Sequence, residues 1–179
     1  MRKMDEFGGN WITTYTGKKF HYLEPRPEEI DIRDIAHALS LKVRYCGHCL
    51  QFYSVGEHSM RVADLLPKAL QLEGLLHDAA EAYMPDVPRP IKYRFGLKEF
   101  EDKIEEVIRV RFGLVKSPLV KEADNVLLAT EARDLMPNMD GWAELPLPLS
   151  DKIRPFSSDM RLVEEVFLAK FELYWGGRQ

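Results

Sequence analysis

Apolar residues recur at intervals of three and four along most of this chain, which is the spacing of amphipathic α-helices. Residues 31–41, for example, carry Ile32, Ile35, Ala36 and Leu39 on one helical face. The chain has no series of alternating strands and no internal repeat, and β-rich composition is confined to residues 11–20. We therefore predict an all-α fold. Its helices are expected over residues 31–41, 54–66, 68–84, 97–112, 117–136 and 158–175.

Length and charge limit the kind of protein this can be. A chain of 179 residues, 45% of them hydrophobic, can bury one substantial core, so we predict a single domain over residues 1–179. The net charge of -4 offers no basic field for a nucleic-acid duplex or an anionic membrane. No apolar run approaches the roughly 20 residues that span a bilayer, and residues 1–10 lack an apolar signal core. We expect a cytoplasmic protein, in the host cytoplasm if a phage encodes it.

An imidazole and a carboxylate interrupt an apolar segment at His77 and Asp78. Leaving such groups unpaired in the interior costs about 2 kcal/mol or more for each, so both need a partner. His58 lies on the preceding predicted helix and Asp124 on a later one, and imidazole and carboxylate are ligands that divalent first-row metals accept. On a continuous helix, Glu81 would lie beside His77 and Asp78. The alternative is a satisfied core pair at His77 and Asp78, with Glu81 solvated.

These residues resemble the His…His-Asp…Asp metal signature of the HD-domain phosphohydrolases. Residues 54–59 (SVGEHS) are similar to the first-histidine helix of that family, and residues 77–81 (HDAAE) and 86–92 (DVPRPIK) to its second segment. Residues 122–124 (EAD) are similar to the segment of its last aspartate. The resemblance extends over residues 15–136 and is closest to the small 5'-deoxynucleotidases and the phage dATP triphosphohydrolases.

The resemblance implies a single helical HD domain with a metal site between helices, and a homo-oligomer. The implied cofactor is a divalent metal, Zn, Co, Mn or Mg, and the implied ligands are His58, His77, Asp78 and Asp124. Glu81 matches a catalytic carboxylate that would position or deprotonate the attacking water. Asp86 matches a second carboxylate, which would help to deliver a proton to the leaving oxygen.

Candidate substrate contacts lie on either side of the metal residues. Arg44 and Tyr45 are similar in placement to an Arg-Trp pair of the deoxynucleotidases, and a guanidinium beside a ring suits a phosphate beside a sugar or base. Lys92, in the basic stretch 89–94, is a candidate phosphate contact, and His48 a candidate for lining the pocket. Simpler alternatives are a surface charge for Arg44, a solvated basic loop for Lys92 and a hydrogen bond to a backbone carbonyl for His48.

These residues predict a divalent-metal-dependent phosphohydrolase of deoxynucleotides. The first candidate substrate is a deoxynucleoside triphosphate, dATP, because residues 15–18 and the short spacing from His58 to His77 resemble the phage enzymes. A 5'-deoxynucleotidase acting on monophosphates is the alternative enzyme. A nucleotide-binding sensor without turnover is the alternative from outside enzymology, and it would need an incomplete set of metal ligands.

A competing motif, Cys46-Gly47-His48-Cys49, spells the active-site tetrapeptide of disulfide isomerases. A C-x-x-C sequence carries redox meaning near a βαβ pattern, which this sequence lacks. A structural zinc site needs four ligands, and the chain has no second pair of cysteines. We therefore interpret the two thiols as small, partly buried side chains in a turn.

Overall fold

The computed structural model describes residues 9–85, 87–140, 142 and 144–177. Within these residues, seven α-helices follow one short antiparallel β-hairpin, which confirms the all-α class and the β-structure predicted within residues 11–20. The strands are β1 (Trp11–Thr13) and β2 (Lys19–His21). The helices are α1 (Ile32–Leu41), α2 (Val55–Asp64), α3 (Gln71–Leu75), α4 (Arg89–Arg94), α5 (Leu97–Phe112), α6 (Pro118–Leu135) and α7 (Met160–Gly176).

Side-chain caps begin four of the helices. Asp31, Ser54, Ser117 and Asp159 each accept a hydrogen bond from a backbone N–H in the first turn of the helix that follows. These bonds satisfy donors that a helix start leaves without an intrahelical partner. Gly113 ends α5 in the left-handed conformation, with φ 59°. As a result, the predicted ends of α1, α2, α5, α6 and α7 are confirmed to within two residues.

The prediction of one continuous helix over residues 68–84 is wrong. The segment contains a 3-10 turn (Lys68–Leu70), the short helix α3, and a second 3-10 turn (Ala79–Ala82). The break has a local cause, because the carbonyl of Gly74 accepts a hydrogen bond from Nδ1 of His77 (2.8 Å). A continuing α-helix would offer that carbonyl to the N–H of Asp78. His77 and Asp78 therefore lie in an irregular turn between α3 and the second 3-10 turn.

Helix α2 lies at the centre of the fold and contacts α1, α3, α6 and α7. Eight of its ten residues are buried. One side of α2 packs into the main core through Val55, Met60 and Ala63, and another packs through Val62 into a smaller core with Leu127 of α6. His58 lies on the buried part of this helix and has no exposed surface.

A glycine permits the close contact between α2 and α3. A Cβ atom built on Gly74 would lie 2.9 Å from the Cα of Ala63 and 2.5 Å from Cδ1 of Leu66. The first distance is to backbone, which cannot rotate away, so only a residue without a side chain allows α3 to approach this closely. The approach places the residues that follow α3 against the centre of the fold.

The hairpin covers the side of the core formed by the second 3-10 turn. Its strands pair Ile12 with Phe20, and the ring of Phe20 is fully buried and stacks on Tyr83 at a centroid distance of 4.3 Å. Across the residues that the structure describes, none of the helices combines the length and apolar character required to cross a membrane.

Candidate metal centre

The four predicted metal ligands converge from three parts of the chain. His58 lies on α2, His77 and Asp78 lie in the turn after α3, and Asp124 lies on α6. Nε2 of His58 is 3.3 Å from Oδ1 of Asp124 and 3.6 Å from Oδ2 of Asp78. Nε2 of His77 is 3.2 Å from Oδ2 of Asp78 and 3.9 Å from Oδ1 of Asp124. The group formed by His58, His77 and Asp124 could hold a metal ion.

The outer nitrogen of each imidazole is already bound to an acceptor. Nδ1 of His77 donates to the carbonyl oxygen of Gly74 (2.8 Å), and Nδ1 of His58 donates to Oε1 of Glu131 (2.6 Å). A neutral imidazole that donates through Nδ1 has its lone pair on Nε2. In the neutral state both lone pairs would face the two aspartates, which is the arrangement of metal-binding histidines that are oriented by hydrogen bonds of their other nitrogen.

The surroundings of the two Nε2 atoms suit a bound cation better than direct hydrogen bonds to the neighbouring carboxylates. Both are buried, and within the described residues neither has a hydrogen-bond partner, although carboxylate oxygens lie within 4 Å. Buried polar nitrogens rarely remain without a partner. A cation between the imidazoles and the carboxylates would satisfy all four side chains at once. This convergence argues against a simple core pair of His77 and Asp78.

Protonation equilibria in the centre favour a positive charge there. Burial alone would raise the pKa of Asp78, but His77 and His58 hold it well below its ordinary value. The pKa of Asp124 is likewise low, since His58, His77 and Lys121 outweigh its burial. Burial would lower the pKa of His77, yet the two aspartates raise it to about 9. Without a metal, a proton on His77 partly balances the carboxylates, and a bound cation would take its place.

Arg44 is a buried residue of the centre, so its interpretation as a surface charge is wrong. Its Nη1 atom lies 3.5 Å from Oδ2 of Asp78, and its Nη2 atom lies 3.2 Å from Oε2 of Glu131. Tyr45 follows it, and its hydroxyl donates to the same oxygen of Glu131 (2.6 Å). The ring of Tyr45 meets the edge of Trp142 at a centroid distance of 5.9 Å. Arg44 and Tyr45 thus both reach the metal residues, one directly and one through Glu131.

The backbone that carries these two residues is unusual. Tyr45 and Cys46 have positive φ angles of 54° and 52°, and Gly47 follows with 82°. Cys46 is exposed and Cys49 half-buried, and both thiols are free. The turn and the partial burial of Cys49 agree with the interpretation of the C-x-x-C sequence, whereas Cys46 is exposed and not partly buried. His48 is exposed at the end of the turn, and its backbone N–H donates to the carbonyl of Tyr45 (3.0 Å).

The remaining predicted site residues are Glu81, Lys92 and Asp86. Glu81 is buried on the second 3-10 turn, and its backbone carbonyl accepts a hydrogen bond from the Lys42 ammonium. The helix breaks before Glu81, so a 3-10 turn rather than a continuous α-helix carries this residue, and its backbone N–H donates to the carbonyl of Asp78 (3.0 Å). Lys92 on α4 pairs with Glu101 of α5 (2.5 Å). Asp86 lies outside the described residues.

Glu131 is the residue that the sequence analysis missed. Its carboxylate is fully buried and binds side chains from three other segments, including that of His58, a candidate ligand. Burial alone would raise its pKa, but Arg44 and His58 outweigh this effect and hold the pKa at about 2. A signal was present, because Glu131 lies seven residues after Asp124 and two helical turns place both on one face of α6.

The centre is open on one side. The side chain of Asp78 is 24% exposed and those of His77 and Asp124 are 12% exposed, whereas His58 and Glu131 are completely enclosed. The exposed surface of the centre therefore lies on the side of Asp78, and the opposite side is packed protein.

Comparison with known proteins gives relatives without an assigned activity. The chain is 44% identical over 129 residues to the uncharacterized protein YfdR of Escherichia coli K12. The alignment covers 70% of this chain and 72% of that protein. It is 33% identical over 142 residues to an uncharacterized protein of Rhodobacter capsulatus, again with 70% of this chain and 72% of the relative covered. No family model matches the chain. The extent and identity of the first match show that the chain belongs to the family of YfdR.

Proposed function

We propose that this protein is a divalent-metal-dependent phosphohydrolase that acts on deoxynucleotides. The observation that carries the proposal is the pair of imidazoles whose Nδ1 atoms are bound and whose Nε2 atoms face two low-pKa aspartates without hydrogen bonds. His58, His77, Asp78 and Asp124 would hold the cation. When bound, a cation of this kind neutralises charge on a phosphate oxygen and lowers the pKa of a coordinated water.

The ligand chemistry narrows the choice of cation without fixing it. Two imidazole nitrogens and two carboxylate oxygens suit Zn, Co or Mn, whereas Mg favours an all-oxygen set. The open side at Asp78 leaves room for a phosphate oxygen beside the cation. The convergence of all four side chains supports a catalyst over a sensor, because a sensor would have no need for a complete ligand set.

The carboxylate of Glu81 is the candidate for proton transfer. It follows Asp78 by three residues, and the Lys42 ammonium binds the backbone carbonyl of Glu81 and of Met84 and so fixes the turn that carries it. A buried carboxylate beside a cation can accept a proton from the attacking water. Asp86 keeps the role that the resemblance implies, delivery of a proton to the leaving oxygen.

Arg44 and Tyr45 are the candidates for substrate contacts. The guanidinium of Arg44 lies 3.5 Å from Asp78, the most exposed of the candidate ligands, and would donate to a phosphate oxygen that reaches this carboxylate. Since the Tyr45 hydroxyl is bound to Glu131, only its ring remains to pack on a sugar or base, with Trp142 at its edge. His48, exposed at the end of the same turn, is a further candidate for the pocket wall.

Monophosphates and triphosphates remain the two candidate substrate classes. dATP is favoured by the resemblance to the phage enzymes. The ion pair of Lys92 with Glu101 supports the alternative, a 5'-deoxynucleotidase, because it engages a cation that a triphosphate would otherwise use. The resemblance also leads us to propose a homo-oligomer in the cytoplasm, which light scattering after size exclusion and cell fractionation would test.

The test is a substrate panel with defined metals. Chelator-stripped protein is supplied with Co, Mn, Zn or Mg and incubated with deoxynucleoside mono-, di- and triphosphates, and products are separated by chromatography. We expect turnover of dATP well above that of dAMP, with the reverse order identifying a 5'-deoxynucleotidase. His77→Ala and Asp124→Ala should abolish both metal binding and turnover. Absence of turnover with every metal and substrate would reject the proposal.

A further inference from the structure

The carboxylate of Glu131 collects four donors that all come from outside its own helix. Oε1 accepts hydrogen bonds from Nδ1 of His58 (2.6 Å) and the hydroxyl of Tyr53 (2.8 Å). Oε2 accepts from the hydroxyl of Tyr45 (2.6 Å) and lies 3.2 Å from Nη2 of Arg44. Glu131 has no exposed surface, so water does not compete for either oxygen. Its position, and that of each donor, is therefore defined by protein contacts alone.

Helix α6 contributes to both ends of the His58 ring. Asp124 and Glu131 lie two turns apart on the same face of α6. Asp124 Oδ1 faces Nε2 of His58 at 3.3 Å, and Glu131 Oε1 binds Nδ1 on the other side of the ring. Because one rigid helix carries both carboxylates, the ring of His58 is held at a fixed angle and distance from Asp124.

We propose that Glu131 is the positioning residue of the metal centre, which sets the orientation and tautomer of His58 and places Arg44 beside Asp78. The inference rests on the metal site of the proposed function and adds a residue that does not contact the metal. Outer-sphere partners of this kind change metal affinity by about 10- to 100-fold when they are altered.

A glutamine at position 131 separates positioning from simple space filling, since it has almost the same volume. Each oxygen of Glu131 meets two donors, so the amide NH2 of a glutamine must face donors on one side. If it faces His58, the imidazole has to accept at Nδ1 and carry its proton on Nε2, which removes the lone pair from the metal. If the NH2 faces Arg44, it meets a guanidinium that also can only donate, so the two groups repel each other and Arg44 shifts.

The experiment measures metal binding without any substrate. Co2+ is titrated into chelator-stripped full-length protein, and affinity is followed by calorimetry and by the visible absorption of the bound ion. Glu131→Gln is expected to bind Co2+ about 10- to 100-fold more weakly than the natural protein and to show an altered absorption spectrum. The matched control is Glu57→Gln, a buried carboxylate of α2 that binds Arg61 and the backbone of Phe156. Its bonds go to Arg61 and Phe156 and not to a candidate ligand, so affinity should change by less than about twofold, the usual limit of coupling between independent sites.

A milder variant covers the case in which Glu131→Gln does not fold. Tyr53→Phe removes one of the two donors to the oxygen that holds His58, and it is expected to weaken Co2+ binding about fivefold, the value of one hydrogen bond. Natural Co2+ affinity and an unchanged spectrum in a folded Glu131→Gln, or failing that in Tyr53→Phe, would overturn the inference and leave the proposed function intact. If the natural protein binds no Co2+, Mn2+ or Zn2+, both the metal centre and this inference are rejected.

Discussion

Nδ1 of His77 binds the carbonyl oxygen of Gly74, three residues earlier in the chain, at 2.8 Å. The bond orients a candidate metal ligand with the last turn of α3, whose own position depends on the absence of a side chain at Gly74. The packing of α3 on α2 and the orientation of His77 are therefore coupled through Gly74, a residue without a side chain.

Gly74→Ala is expected to lower both stability and metal affinity. The added methyl would lie 2.9 Å from the Cα of Ala63, so α3 has to move away from α2 and carry His77 with it. Overpacking of this kind costs about 1 to 3 kcal/mol. Urea unfolding of the metal-free protein and Co2+ titration measure the two effects. Gly176→Ala is the control, because a Cβ there meets nothing within 4 Å. Metal affinity should stay unchanged and stability should not fall, since alanine is favoured over glycine in a helix.

Metal addition is expected to raise the unfolding temperature. A ligand that binds only the native state stabilises it by about 2.7 kcal/mol when its concentration is 100 times its dissociation constant. Thermal unfolding with Co2+ and with a chelator should differ in the natural protein and coincide in His58→Ala. His37→Ala removes a histidine that pairs with Glu164 and should keep the metal-dependent difference. An equal shift in His58→Ala would place the bound ion elsewhere.

Glu81→Gln is expected to keep the metal and lose turnover. The substitution preserves volume in a buried position but removes the group that would accept a proton. General acid-base catalysis contributes about 100- to 10,000-fold, so kcat should fall within that range while Co2+ affinity stays within a factor of about two. Steady-state kinetics on the best substrate of the panel, together with Co2+ titration, decides the point. Turnover at the natural rate would refute the role of Glu81.

Acid should remove a stabilising contribution of Asp31 at the start of α1. Hydrogen bonds from Arg33, stronger than the opposing effect of burial, hold the pKa of Asp31 well below its ordinary value, and Lys18 adds to the shift. A carboxylate with a lowered folded-state pKa stabilises the protein above its unfolded pKa of about 3.9, and the contribution is lost as pH falls towards the folded pKa. Stability should therefore decline below about pH 4 in part through this residue.

Asp31→Asn isolates the charge, because asparagine can still cap the helix. The variant is expected to be about 0.5 to 1 kcal/mol less stable than the natural protein at pH 7, the range of a partly exposed ion pair. Urea unfolding at pH 7, 4 and 3 should show this difference shrinking as pH falls. A difference that stays constant with pH would assign the effect to capping geometry instead.

Helices with strong terminal residues could be predicted from the sequence. Ser54 and Gly113 have intrinsic preferences for a helix start and a helix end, and those preferences act locally, so α2 and α5 were placed within two residues. The approach of His58, His77, Asp78 and Asp124 to one another was also expected, although only as an implication of the family resemblance.

Residues 68–84 and Arg44 show where local patterns fail. The apolar spacing through residues 68–84 is that of one helix, but a tertiary constraint wins: α3 is pressed against α2, and the His77 side chain takes the carbonyl that would continue the helix. Arg44 is buried against Asp78 and Glu131, and the residues that follow it adopt positive φ without being glycine, which no composition rule signals. Glu131 was not identified from the sequence, and its partners Tyr53 and His58 are distant in sequence.

The left-handed turn has a consequence for how the molecule opens. Tyr45 and Cys46 each adopt a conformation that costs a non-glycine residue about 1 to 2 kcal/mol. This conformational cost is offset by the contacts of the Tyr45 hydroxyl and the Arg44 guanidinium with Glu131. The turn is thus a strained segment that is held in place by the Glu131 carboxylate on α6. Loss of these contacts would let the turn relax, so the turn and the His58 side of the centre should exchange their amide protons with solvent as one cooperative unit.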